Sequence, residues 1–201
     1  MIDRLAASTP LAQAIGVAAV AFSGLYFVSD ALELLHGGFT RPQLVLTSLS
    51  EAAIPLFVVG LYAVQRPRIG LLGLVGAVGY AYAYVFFTGT VMLALVDRSP
   101  DWQSLVGDLG PWVTAHGLLM VLAGSAFGAA VIRAGVLPRW TGVLLIVGVV
   151  LVAVASPLPD AAQTLCAGVR DLAFAGMGLS LLTRPRPPRM ADDRASVDVR
   201  V

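Results

Sequence analysis

The chain has 201 residues, 58% of them hydrophobic and 12% charged, with a formal net charge of +1. Soluble domains carry about 25% charged residues, so a soluble globular fold is excluded, and a charge this near zero leaves no electrostatic footprint for nucleic acid. All 13 basic residues are arginines, as expected of a GC-rich bacterial genome, and the lone Cys166 excludes an internal disulfide or a cysteine-based metal site.

Apolar runs able to cross a ~30 Å hydrocarbon layer recur along the chain. The first, from Pro10 to Val28, follows Arg4 and is too long for a cleaved signal segment, so it reads as a retained helix. The periodicity predicts an all-α fold: a six-helix transmembrane bundle with spans at 9–36, 42–65, 69–96, 110–134, 138–157 and 160–183. Pro42, Pro111 and Pro138 suit first-turn positions, and Asp160 can cap the sixth helix. Residues 1–183 form the transmembrane domain. Residues 184–201, rich in Pro and Arg and then acidic, form a disordered cytoplasmic tail.

Arginine placement sets the expected orientation. Arg4, Arg66, Arg68, Arg133, Arg139 and the tail arginines fall on one side. Arg41 and Arg98 fall on the other, with Asp97, Asp101, Asp108 and Asp160. The arginine-rich side is cytoplasmic, which places both termini inside and the protein in the cell (inner) membrane, its first partner being the lipid bilayer.

The first helix ends on Asp30, Glu33 and His36, spaced three apart and able to form the outer mouth of a cavity. The second helix carries Glu51 in an apolar run, with Pro55 four residues later. Proline there donates no N–H to the Glu51 carbonyl and crowds it, so the helix should kink beside its acid. The third helix carries Gly70, Gly73, Gly76 and Gly79, a groove for a neighbouring backbone, together with Tyr80 and Tyr84 on one face. The loop from Asp97 to Gly110 is the longest connection, and Trp102 and Trp112 suit an interfacial belt. The fourth helix holds His116 and a small-residue stripe from Gly124 to Gly128.

Pro67–Leu72 resembles Pro138–Leu145, each at a basic turn followed by an apolar stretch, as a duplicated hairpin (helices two and three, four and five) would leave. The run Arg133-Ala134-Gly135-Val136-Leu137-Pro138-Arg139-Trp140-Thr141-Gly142-Val143-Leu144-Leu145 resembles a turn of small multi-pass inner-membrane proteins of GC-rich bacteria. That resemblance implies topology and location and carries over no functional residue.

The sixth helix carries Arg170 and Asp171. By helix rise Glu51, Arg170 and Asp171 lie roughly 13–17 Å deep, near the midplane, where a charge costs at least ~2.5–3.5 kcal/mol. Arg170 can neutralise one acid. Adjacent residues point about 100° apart, so Arg170 is expected to pair with Glu51 across helices, leaving the other acid protonated, hydrated or paired elsewhere. His116, Tyr80 and Tyr84 are expected to join this cluster.

No catalytic or nucleotide motif is present, no metal site is expected, and His36 with His116 offer no spacing for haem, so no cofactor is expected. The leading expectation is binding or transport of a small or amphipathic, lipid-like molecule from the outer side, a homo-oligomer enclosing any pathway because six helices make a small bundle. The alternatives are an accessory subunit whose ion pair fixes helix register, and a membrane enzyme using a protonated Glu51 or Asp171 on an isoprenoid-like substrate.

Overall fold

The computed structural model describes residues 9–155 and 157–183; Arg4 and the whole 184–201 tail lie outside them. Seven helices follow one another: α1 (Thr9–His36), α2 (Arg41–Ala63), α3 (Gly70–Asp97), α4 (Trp102–Leu109), α5 (Pro111–Ala134), α6 (Arg139–Val154) and α7 (Asp160–Leu182). Five of them, α1, α2, α3, α5 and α7, are long and apolar enough to cross a bilayer. The chain is a polytopic helical membrane protein. Its outer surface agrees: Leu35, Leu56, Leu71 and Val96 are each more than 70% exposed, as lipid-facing side chains must be.

Two expectations about the elements need correction. The 97–110 connection holds a helix, α4, which the sequence pattern read as loop. Asp101 caps it, its carboxylate accepting from the Ser104 N–H at 2.8 Å, and Leu105 tucks against Leu44, Val91 and Ala94. Eight residues are too few for periodicity to declare. The fifth predicted span, α6, has 16 residues and ends at Val154, short of the ~20 that a perpendicular crossing needs. Pro157 and Pro159 follow within five residues of Val154, and neither has an N–H with which to continue the helical ladder.

The five long helices and α6 form a closed ring. α1 packs on α2, α2 on α3, α3 on α5, α5 on α6, α6 on α7, and α7 returns to α1. Small residues set these distances, as the glycine stripes predict. A Cβ on Gly76 of α3 would lie 2.5 Å from the backbone nitrogen of Phe127 on α5, and one on Gly128 of α5 would lie 2.7 Å from the Gly142 carbonyl oxygen of α6. Gly70 is different. It opens α3 with φ +65° and meets no neighbour, so it serves the turn rather than the groove. The two turns compared as a duplicated hairpin also close differently, α3 starting on this glycine and α6 after the extended Pro138.

The ring leaves no room for a wide lumen at its waist. Phe57 of α2 meets Phe174 of α7 edge-on at 5.3 Å, and Tyr80 of α3 reaches the same Phe174 at 5.7 Å. Helices on opposite sides of the ring thus join through an aromatic core, and the polar residues gather next to it.

Candidate functional site

α2 buries one face: Gln43, Thr47, Glu51, Ile54, Phe57, Val58 and Leu61 recur at helical spacing. Glu51 is therefore carried inward by the same periodicity that builds the apolar core. α7 does likewise with Arg170, Asp171, Phe174, Met177 and Leu181. α6 comes close behind Arg170 because Gly148 faces it; a Cβ there would lie 2.6 Å from the Arg170 nitrogen.

The pairing differs from the expected one. Arg170 closes on its neighbour Asp171: Nε and Nη2 both donate to Asp171 Oδ1, at 3.1 and 3.0 Å. The 100° argument fails because a guanidinium on a three-methylene stem can swing back to the adjacent residue. Glu51 instead accepts from the Tyr26 hydroxyl of α1, at 3.0 Å to Oε1. Tyr26 also lies beneath the guanidinium, with Arg170 Cζ 4.7 Å from its ring centroid and 5.8 Å from that of Tyr84. One tyrosine thus links the α2 acid to the α7 base. Asp30, one turn along α1 from Tyr26, is half-buried and lies within electrostatic range of Arg170, Asp171 and Glu51.

Glu51, Arg170 and Asp171 are at most 5% exposed. Their charges are satisfied unevenly. Glu51 Oε2 and Asp171 Oδ2 are buried with no hydrogen-bond partner among the described residues, and the buried hydroxyls of Tyr80 and Tyr84 have none beyond each other. The two phenol rings are tilted at 49° to one another, with centroids 5.1 Å apart. Native proteins pair nearly all such atoms with protein or ordered water, so two unpaired carboxyl oxygens in one cluster with a guanidinium single this place out.

Comparison with protein families, curated proteins and solved structures finds no match. The site must be read from its own chemistry.

A polar seam leads from it along the α1–α2 interface. Ser29 donates to the Gln43 carbonyl at 3.0 Å, and its hydroxyl shares a hydrogen bond with that of Thr47 at 2.5 Å. The Gln43 amide donates to Thr47 Oγ1 and to Glu33 Oε2, both at 3.1 Å. Glu33 is half-buried at the end of α1, so the seam runs from the ring's rim to within one turn of Glu51.

Of the residues expected to act together, the structure gathers Glu51, Arg170, Asp171, Tyr80, Tyr84 and Asp30. It separates the histidines from them. His116 lies against Phe86, stacked at 3.8 Å, and its Nδ1 donates to the Trp112 carbonyl at 2.8 Å. Joining the cluster required α5 to turn His116 inward, and the ring turns it towards the α3 rings instead. His36 is exposed and bonds the Leu32 carbonyl of its own helix at 2.7 Å, so the expected mouth divides: Asp30 belongs to the cluster, Glu33 to the seam. Pro55 sits inside an unbroken α2, four residues after Glu51, and leaves that carbonyl without a helical donor.

Tyr26, Ser29, Gln43 and Thr47 escaped sequence reading. The available signal was their spacing: Tyr26, Ser29, Asp30 and Glu33 share one face of α1, and Gln43, Thr47 and Glu51 one face of α2.

Proposed function

We propose that this chain is a six-span inner-membrane protein, the short α6 crossing with the five long helices and both termini being cytoplasmic, which binds or carries a small cationic, amphipathic molecule entering from the outer side. One observation carries the reading: three acids, Asp30, Glu51 and Asp171, lie within electrostatic range of a single guanidinium, and two of their buried oxygens have no hydrogen-bond partner among the described residues. An acid excess in a desolvated place favours a positive guest or a proton, and the aromatic faces of Tyr26, Tyr80 and Tyr84 are suited to an organic cation. The seam from Glu33 to Thr47 supports access from the rim that carries Arg41 and Arg98. The arginine-poor character of that rim supports its being the outer one. As a register pin the ion pair is poorly formed, because Arg170 and Asp171 belong to the same helix.

Tetraphenylphosphonium, a membrane-soluble aromatic cation, is a suitable probe. Protein in lipid nanodiscs should bind it, and Glu51→Gln or Asp171→Asn should weaken binding about tenfold, the equivalent of ~1.4 kcal/mol. Binding that is equal for uncharged tetraphenylmethane, or unchanged in both variants, would overturn the reading.

A further inference from the structure

The opposite problem, unpartnered positive charge, occurs at the rim. A hollow of about 180 Å³ opens between the start of α2 and the end of α3, lined by Phe39, Thr40, Arg41, Leu44, Arg98 and Ser99 among others. Arg41 and Arg98 are the two arginines at that end of the ring among the described residues; Arg66, Arg68, Arg133 and Arg139 lie at the other end. Chain segments far apart in sequence therefore bring both into one concavity. Neither forms an ion pair among the described residues, where the one salt bridge is Arg170–Asp171. The nearby acids stand outside the lining, and Asp101 is occupied with capping α4.

Other features point the same way. The hollow receives the N-terminus of the 23-residue α2, whose dipole favours an anion. Thr40 accepts from the Gln43 N–H, which leaves its hydroxyl proton free to donate. Arg98 ends α3 with φ +57°, where glycine is the usual occupant; the chain keeps a guanidinium where a smaller residue would be less strained. Phe39 and Leu44 give the hollow an apolar wall beside its charges.

We propose that this hollow binds a phosphate group, held between the Arg41 and Arg98 guanidiniums with Thr40 as a further donor. Arginine forks match phosphate oxygens in pairs, and the place, at the ends of membrane helices, is headgroup level. A phospholipid headgroup and free phosphate share this chemistry. The proposal is independent of the cation reading at Glu51.

Native mass spectrometry of the full chain in mild detergent tests it, offering phosphatidylglycerol against diacylglycerol, which has the same tails and no phosphate. Wild type should retain phosphatidylglycerol about tenfold better, and R41Q/R98Q should lose that preference while R66Q/R68Q keeps it. Arg98→Gly guards against misfolding, since glycine suits the left-handed backbone; it should fold at least as well and retain less lipid. In a second arm, inorganic phosphate raising the Tm of wild type and not of R41Q/R98Q, without lipid preference, would make the free anion the ligand. Lipid retention and phosphate response that are both the same in wild type, R41Q/R98Q and Arg98→Gly would overturn the proposal.

Discussion

The Tyr26 hydroxyl donates to Glu51 Oε1 at 3.0 Å, while the ring of the same tyrosine lies 4.7 Å under the Arg170 guanidinium. The α2 acid and the α7 base are coupled through a third helix. This divides the work of one side chain into two parts that substitution can separate. Tyr26→Phe keeps the ring and removes the donor, leaving both oxygens of Glu51 unpartnered. The expected loss is ~1–3 kcal/mol. Tyr26→Leu should cost a further ~0.5–2 kcal/mol through the lost cation–π contact. Thermal unfolding in detergent reads both. If Glu51→Gln makes Tyr26→Phe no less costly, the two residues are not coupled as described.

Gly148 tests how tightly α6 holds the site. An added Cβ would lie within 2.8 Å of the nitrogen, Cα and Cβ of Arg170, and backbone cannot step aside as a side-chain tip can. Gly148→Ala should cost ~1–3 kcal/mol as overpacking and displace Arg170 from Tyr26. Gly24→Ala is the control. Gly24 meets nothing within 4 Å, so alanine should be neutral or stabilise by up to ~1 kcal/mol. Equal Tm values for the two variants would contradict this packing.

The parts of the site visible in sequence were those that break a rule. Glu51, Arg170 and Asp171 are charges in apolar helices, and the energetic penalty makes them conspicuous before any fold is known. Tyr26 breaks no rule, because an aromatic residue in a membrane helix is ordinary; its role depends on the azimuth of α1 against α7, which the rise per residue does not give. The same missing angle misplaced His116. The partner of Arg170 was misjudged for a different reason, since helical wheel geometry describes Cβ directions and a long arginine stem overrides them. In the fold, length and hydropathy revealed the long helices, the glycines of α3 anticipated a close neighbouring backbone without naming it as α5, and the eight-residue α4 was too short for either signal.

The Arg170–Asp171 pair should behave as buried ion pairs do. Arg170→Met leaves Asp171 desolvated without its base, and the expected loss is ~3–5 kcal/mol. Arg170→Met combined with Asp171→Leu removes both charges and should recover most of it, because nothing is left uncompensated. Glu51→Gln in the Arg170→Met background should recover less, since Glu51 is bonded to Tyr26 rather than to the arginine. Chemical unfolding of the three variants in one detergent gives the order. Recovery by Glu51→Gln equal to that by Asp171→Leu would show that Arg170 serves both acids alike.

Asp101 gives a pH dependence outside the membrane spans. Its carboxylate accepts from the Ser104 N–H at 2.8 Å, and the backbone bond holds its pKa below the ordinary 3.8. A carboxyl whose folded value is depressed binds fewer protons folded than unfolded. Its support for α4 is therefore complete above the unfolded value and is lost as pH falls through the lowered folded one. Trp102, the first residue of α4, is positioned to report the change. Its fluorescence should shift on acidification below the ordinary carboxyl range in wild type. Asp101→Asn, which caps through its amide oxygen without titrating, should keep α4 formed through that range, and Asp101→Ala should lose the cap at neutral pH. The chain's other tryptophans require Trp112→Phe and Trp140→Phe in the background. A transition that persists in Asp101→Asn would assign the titration to another group.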